Sequence, residues 1–129
     1  MHQFKLRSPK FPRATENEIE QICEDILNLR GYTMFRLHSG TFKTVDGQRY
    51  IKGHDKGTPD YAVEHEYFPG FLLEVKRPGA VATNEQLFKH AELVCRKLAV
   101  AVISSREELS TFLACHEARA RDRWRSCQA

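Results

Sequence analysis

The sequence lacks the long apolar runs of a membrane protein and the paired cysteines of a zinc or redox site. No stretch approaches the roughly 18 consecutive apolar residues that a membrane-spanning helix needs. The first residues carry no apolar core behind their charges, so we predict no signal peptide and expect an intracellular protein. The four cysteines form no C-x-x-C pair, which argues against a zinc ribbon or a thioredoxin-like centre. They are Cys23, Cys95, Cys115 and Cys127.

Acidic residues are absent from the first part of the chain. Residues 1–13 contain four cations, Lys5, Arg7, Lys10 and Arg13, whereas the whole chain has a formal charge of only +3. We therefore predict a basic arm over residues 1–13, ahead of one domain over residues 14–129, because the length suits a single core. A basic arm can contact phosphates, and an unstructured, solvated terminus is the equally compatible alternative.

Hydrophobic periodicity and turn residues predict an alternation of helices and strands. The order indicates a single α/β domain with a mixed central β-sheet flanked by helices. The predicted helices cover residues 15–29, 84–97 and a last segment from 106 onward. The predicted strands cover residues 32–38, 60–65, 70–76 and 98–103, with a hairpin over 41–45 and 48–51 that turns at 46–47.

Two apolar stripes are predicted to pack against the sheet. The stripe on the first helix consists of Ile19, Ile22, Cys23, Ile26 and Leu29. The stripe on the helix over residues 84–97 consists of Leu87, Ala91, Val94, Cys95 and Leu98. The run over residues 98–103 is continuously apolar, which is typical of a strand that is covered on both faces.

Three charged residues stand at the ends of strands that are otherwise suited to burial. Asp60 follows a Gly-Thr-Pro break, and Glu74 and Lys76 end the next predicted strand. Side chains two apart on a strand share a face, and a hairpin return would bring Asp60 beside them. Two converging carboxylates suit Mg²⁺, which prefers oxygen ligands and keeps several waters. An ordinary ion pair between Glu74 and Lys76 is the structural alternative.

The wider pattern resembles the PD-(D/E)xK nuclease superfamily, and in particular its virus-type replication-repair nuclease (VRR-NUC) branch. The resemblance spans roughly Glu16 to Ser105. The E-x-K motif alone is common, so the resemblance depends on the ordered set of motifs. These are Phe-Arg-Leu-His-Ser-Gly at 35–40, Gly-Thr-Pro-Asp at 57–60, Leu-Glu-Val-Lys-Arg-Pro at 73–78, Gln86, and the apolar strand that closes at Ser104-Ser105.

The resemblance implies a single restriction-endonuclease-like domain and a set of site residues. Asp60, Glu74 and the backbone carbonyl of Val75 would bind Mg²⁺, with Mn²⁺ as a substitute. Lys76 would be the catalytic lysine. Members of the family also use a glutamine on the helix after the E-x-K strand, a place that Gln86 fills, and a glutamate on the first helix.

Four glutamates compete for the first-helix position: Glu16, Glu18, Glu20 and Glu24. Helical geometry places the first two beside the apolar stripe and directs the other two further into solvent. We predict Glu18, which also fits the register that the resemblance implies. Thr15-x-x-Glu18 is also a capping box, as is Thr83-x-x-Gln86, so both residues could instead belong to helix ends.

Basic side chains before and around the predicted site are candidates for DNA contact, because phosphate contacts need little more than such groups. A solvated polar face is the alternative for each. The candidates are Arg36, His38, Lys43, Arg49, Lys52 and Lys56. On the last helix, arginines alternate from Arg119 to Arg125 and should scatter around it, which argues against one dedicated patch. Trp124 would anchor that helix to the domain or to a partner subunit.

The resemblance implies a magnesium-dependent, structure-specific DNA endonuclease of the kind used in DNA repair, encoded in a phage or prophage if its compactness is a guide. Stand-alone members resemble Holliday-junction resolvases, so we expect cleavage of branched DNA such as four-way junctions. A homodimer would match the symmetry of that substrate. The alternatives are the same chemistry on flap, single-stranded or linear DNA, and a non-catalytic DNA-binding module with the same fold.

Overall fold

The computed structural model describes residues 14–38 and 57–128 with their side chains, and the backbone of residues 41–43 and 50–52. These ranges form the predicted mixed α/β arrangement. None of their helices is both long and apolar enough to cross a membrane. In chain order the elements are α1 (Glu16–Leu29), β1 (Tyr32–Arg36), β2 (Thr41–Lys43), β3 (Tyr50–Lys52), β4 (Tyr61–His65), β5 (Phe71–Val75), α2 (Asn84–Cys95), β6 (Val100–Ile103) and α3 (Arg106–Gln128).

Four strands form one mixed sheet in the order β1-β4-β5-β6. The pairs β1–β4 and β4–β5 are antiparallel. Strands β5 and β6, which α2 connects along the chain, are parallel neighbours. Tyr61 pairs with Arg36 on one side and with Leu73 on the other, so the start of β4 lies at the same sheet end as the end of β1. The predicted hairpin strands exist as a separate antiparallel pair, β2–β3. Its predicted turn at residues 46–47 lies outside the described residues.

Helix α1 is fixed at both ends by local hydrogen bonds. Thr15 caps its N-terminus in a capping box with Glu18, and Gly31 takes a φ of +85° directly after its C-terminus. A positive φ is costly for residues other than glycine, so glycine favours the end of the helix here. The predicted stop at Gly31 is confirmed. The C-terminal Arg30 then turns the chain into β1.

The core lies between the sheet and the two helices α1 and α3, which also pack on each other. From α1 it contains Ile19, Cys23 and Leu27, spaced by four residues, and from α3 it contains Leu109 and Leu113. The predicted stripe is wrong at its end, because the side chain of Leu29 is 88% exposed and Leu27 is fully buried. Two residues further along, a helix has turned by about 200°, so the two leucines cannot share a face.

Helix α2 does not bury its predicted apolar stripe. It has no buried residue, and Leu87 and Val94 are 54% and 58% exposed. The half-buried side of this helix instead carries Gln86, His90 and Leu93. The prediction is wrong because it assumed that the most apolar side of the helix faces the sheet.

Strand β6 is the edge of the sheet and is not covered on both faces. Ala101 and Ile103 are buried toward α3, whereas Val102 is 46% exposed on the other face. Helix α2 contacts β6 but leaves that side chain open. The prediction from the continuous apolar run is therefore wrong for one face of this strand.

Candidate active site

The loop before β4 places Asp60 against the end of β5. The carboxylate Oδ2 of Asp60 accepts a hydrogen bond of 3.2 Å from the backbone N–H of Val75. The approach depends on Gly57, which has a φ of +87°, and a Cβ there would lie 2.6 Å from the carbonyl oxygen of Glu85. The loop is thus packed on the first turn of α2, which joins three segments of the chain at one sheet end.

Glu74 is buried in this place. Its side chain is only 2% exposed. Its Oε1 accepts a hydrogen bond of 2.9 Å from Nε2 of Gln86 and lies 3.5 Å from Nζ of Lys76. Its Oε2 is buried and has no hydrogen-bond partner within the described part of the chain. Burial, and then the nearby charge of Asp60, raise the pKa of Glu74 to about 7, and Lys76 opposes this rise.

Gln86 links the lysine, the glutamate and the helix end. Its Oε1 accepts from Nζ of Lys76 at 2.7 Å and from the backbone N–H of Thr83 at 3.0 Å. Its Nε2 donates to Glu74. The sequence left two readings for this glutamine, a helix cap or a site residue, and the structure shows that one amide fills both places. The predicted sharing of one face by Glu74 and Lys76 is confirmed.

The first helix brings two other glutamates to the site than the one we predicted. Carboxylate oxygens of Glu16, Glu20 and Asp60 lie within 4.8 Å of one another. Glu18 is exposed, and its Oε2 accepts from the backbone N–H of Thr15 at 3.0 Å. Residues spaced by four share a helix face, so Glu16 and Glu20 point together at Asp60 while Glu18 turns back to the cap. Our expectation that Glu20 points into solvent is wrong, since it is half-buried.

These carboxylates form a donor set that fits a hard divalent cation. Oxygens of Glu16, Glu20 and Asp60 lie within 4.8 Å of one another, and the charges of Asp60 and Glu16 contribute to the raised pKa of Glu74. The buried Oε2 of Glu74 has no partner among the described residues, as expected of an oxygen that a cation would satisfy. Oxygen-only sites favour Mg²⁺ or Mn²⁺ over softer metals. The Val75 carbonyl remains a predicted ligand.

His90 belongs to the same place and was missed from the sequence. It lies one helical turn after Gln86, on the half-buried side of α2. Its Nε2 is buried with no partner among the described residues. Burial lowers the pKa of His90, Lys76 lowers it further, and Asp60 opposes them. The spacing of four from Gln86 is the signal that could have found it.

Of the predicted DNA contacts, Arg36 touches Tyr61, the residue that follows Asp60. Its Nη1 donates a hydrogen bond of 3.2 Å to the hydroxyl of Tyr61, and its guanidinium carbon sits 5.7 Å from the centre of that ring. The same hydroxyl interacts with Glu20, and burial is the main cause that raises the pKa of Tyr61. His38 is exposed two residues after the end of β1.

The other predicted DNA contacts are not described in the structure. The side chains of Lys43 and Lys52, on β2 and β3, lie outside the described residues, as do Arg49 and Lys56 entirely. All four therefore stay predictions.

In comparisons with known proteins, the chain matches no protein-family model and no curated protein.

Proposed function

We propose that this chain is a divalent-metal-dependent nuclease that hydrolyses phosphodiester bonds in DNA, similar to the VRR-NUC branch of the PD-(D/E)xK nucleases. The observation that carries the proposal is the buried Glu74. It lies beside a lysine that Gln86 holds in place, the charge of Asp60 acts on it, and one of its oxygens has no protein partner in the described ranges. An ordinary structural ion pair leaves no buried carboxylate oxygen unsatisfied.

Asp60 and Glu74, joined by the glutamates of α1, would hold Mg²⁺ or Mn²⁺. A cation held there would supply positive charge to offset that of the phosphate and would lower the pKa of a water molecule. The hydrogen bond from Val75 N–H holds the carboxylate of Asp60 in its orientation.

Lys76 is the residue that meets the phosphate or the attacking water. An ammonium group has three N–H donors. In the described part of the chain, Nζ of Lys76 contacts the Oε1 atoms of Gln86 and Glu74. These contacts fix the direction of the remaining N–H, which can donate to a phosphate oxygen or orient the nucleophile. Because its side chain is 15% exposed, the ammonium acts where bulk water screens it little.

The proposal is tested by incubating the purified chain with labelled DNA in Mg²⁺, in Mn²⁺ and in EDTA. We expect cleavage that needs the metal and falls by at least about a hundredfold in Lys76→Ala. Arg96→Ala is the matched control, since it removes one exposed cation from the end of α2. Cleavage that survives in Lys76→Ala or Asp60→Ala would refute the site. DNA binding by both variants and the wild type, without cleavage by any, would favour the non-catalytic module.

For the substrate we propose branched DNA, with the four-way junction as the first candidate. Support comes from the resemblance, because members of the VRR-NUC branch resemble Holliday-junction resolvases. The same assay with four-way, flapped, single-stranded and linear duplex DNA ranks the alternatives. Equal rates on linear duplex and on the junction would contradict the branched substrate.

We further propose a homodimer. Support comes from the exposed apolar side of α2, where Leu87, Phe88 and Val94 are 54%, 76% and 58% exposed. Apolar patches of this kind mark protein interfaces more often than free surface. A two-fold dimer through α2 would place two catalytic sites in a symmetric relation, as a four-way junction requires.

A further inference from the structure

A second surface lies away from the carboxylates, between the β4–β5 turn and the C-terminal half of α3. It is a groove of about 400 Å³. Six residues line it: Tyr67, Phe68, Ala120, Arg121, Trp124 and Arg125. We call it the Trp124 groove. It combines aromatic rings with two guanidinium groups, and the proposed chemistry uses none of these residues.

The rings and charges in the Trp124 groove are arranged for contact. Trp124 and Tyr67 are 64% and 81% exposed, although both are large and partly apolar. The guanidinium of Arg121 stands 5.5 Å from the centre of the Phe68 ring, which fixes it at the groove wall. Arg121 and Arg125 are four residues apart and therefore share a helix face. The arginines of α3 thus do not all scatter, and Trp124 remains largely exposed.

Charge decides which partner fits the Trp124 groove. Residues 118–128 contain four arginines and one acid, Asp122. A second copy of this chain would bring the same positive charges against them, and residues 1–13 are basic as well. A fitting partner is therefore negatively charged and carries planar groups that can stack on Trp124. Single-stranded nucleic acid has both properties, whereas a duplex keeps the faces of its bases inside the stack.

We propose that the Trp124 groove binds single-stranded DNA by base stacking on Trp124 and phosphate contact with Arg121 and Arg125. The choice of DNA over RNA rests on the proposed nuclease function. The groove lies next to the last residue of β4, and Asp60 lies next to the first. Because β4 has five residues, the groove and Asp60 are about 15 Å apart. A strand in the groove is therefore separate from the bond at the carboxylates. It would direct the enzyme to DNA with an unpaired segment next to the cut.

The test uses the fact that Trp124 is the only tryptophan of the chain. In EDTA, where the proposed cleavage does not run, titration with a short oligothymidine should quench the tryptophan emission to a saturating level. The matched duplex should quench it much less at the same nucleotide concentration. Fluorescence anisotropy of the labelled oligothymidine gives the affinity independently and can be measured for variants that lack the tryptophan.

Two matched pairs of substitutions separate stacking and local contact from general charge. Trp124→Ala should weaken oligothymidine binding by about fivefold or more, and Trp124→Phe should retain most of it. Arg125→Ala should weaken binding more than Arg123→Ala, which removes the same charge from the same helix outside the groove. Saturable binding without quenching, or equal losses in the two arginine variants, would overturn the proposal. A change of emission with protein concentration alone would mean that a second copy covers the groove.

The two proposals fail in different ways. Lys76→Ala should lose cleavage but keep the quenching, because Lys76 lies at the other end of the sheet from the groove. Quenching without any metal-dependent cleavage by the wild type would retain the groove and refute the nuclease. Cleavage without quenching would retain the nuclease and refute the groove.

Discussion

Glu74 carries a negative charge into a position that water hardly reaches. Its strand neighbours Leu73 and Val75 are fully buried, and Glu74 itself is 2% exposed. Lys76 and Gln86 satisfy one of its oxygens, which leaves the charge only partly compensated. Burial and the charge of Asp60 therefore raise its pKa from 4.5 to about 7. A carboxyl with this pKa holds a proton in the folded chain at pH values where the unfolded chain has lost it.

The first prediction concerns the pH dependence of stability without metal. The raised pKa of Glu74 stabilises the fold below pH 4.5, and this contribution is lost as the pH rises through about 7. In EDTA, Glu74→Gln should therefore melt at about the same temperature as the wild type at pH 5 and several degrees above it at pH 8. Differential scanning fluorimetry at the two pH values measures this.

The control for that experiment is the metal itself. Added Mg²⁺ or Mn²⁺ should raise the melting temperature of the wild type at pH 8 by more than that of Glu74→Gln, because the variant has one charged ligand fewer. A variant that is less stable than the wild type at both pH values would show that the charge of Glu74 is compensated in the folded protein.

The glutamates of α1 give a second, matched prediction. Glu20→Gln removes a charge that faces Asp60, so the metal concentration for half-maximal cleavage should rise about tenfold or more. Glu18→Gln should leave it unchanged, because glutamine also closes a capping box with Thr15. The measurement is a Mg²⁺ titration of the cleavage rate. If that metal concentration rose equally in Glu18→Gln and Glu20→Gln, Glu18 would be restored as the site residue that the sequence favoured.

For single residues, the sequence predicted which ones are neighbours better than it predicted where their side chains point. The spacing of two predicted that Glu74 and Lys76 are neighbours, since a strand has a fixed side-chain period. On α1, the angle of Glu18 from the apolar stripe was nearly right, but the cap hydrogen bond turned its carboxylate away from the site. His90 was missed because the apolar stripe was taken as the inward side of α2, although the spacing of four places His90 on the same helix face as Gln86.

Among the elements, α2 is the one whose apolar side lies open. It contacts the sheet at β6, and its polar side places Gln86 in the site, where the amide donates to Glu74. The composition of a helix shows which side is apolar, but not whether the sheet or a second chain covers that side. The misassigned face of α2 follows from that ambiguity.

The third prediction tests this open side. Phe88→Arg places a charge in the middle of the exposed apolar surface of α2 and should convert a dimer into a monomer, with the helix content unchanged. Sedimentation velocity at several protein concentrations measures the mass, and circular dichroism controls for folding. Tyr67→Arg, which also replaces an exposed aromatic residue, is the control away from α2. A wild type that is monomeric at every concentration would contradict the proposed dimer.

Helix α3 is joined to the C-terminal end of α1 by a partly buried ion pair. Nη2 of Arg30 lies 2.7 Å from Oε2 of Glu117, and the hydroxyl of Tyr32 donates to the same carboxylate at 3.4 Å. Burial first, and then the charge of Glu117, raise the pKa of Tyr32 to about 12, so its hydroxyl stays a donor. The ion pair lies at the end of the sheet opposite to Asp60 and Glu74.

The fourth prediction is a loss of stability when this pair is broken. Glu117→Ala leaves the Tyr32 hydroxyl buried without its acceptor, and the free energy of unfolding should fall by about 1–3 kcal/mol. The loss stays below that of a fully buried pair because Arg30 is 38% exposed and water can solvate it. Urea denaturation measures it, with Asp122→Ala on the exposed side of the same helix as control. No difference between the two variants would show that the pair contributes nothing.

For the molecule as a whole, the sequence predicted the element order and the central constellation. It did so because short strands, turn glycines and alternating burial are local properties. The order of strands in the sheet, with β6 at the edge, depends on contacts distant along the chain and was not predictable in the same way. The packing of Gly57 on α2, which brings the two halves of the site together, belongs to the same class.

The unsatisfied oxygen of Glu74 also has a consequence for how such a chain evolves. A site that is costly to fold without the proposed cation is kept only while selection acts on the proposed chemistry, because most neutral replacements of the glutamate would make the fold more robust. Under selection for robustness alone, this position should be among the first to lose its charge. A library of Glu74 variants sorted only for resistance to heat would then be enriched in catalytically silent chains.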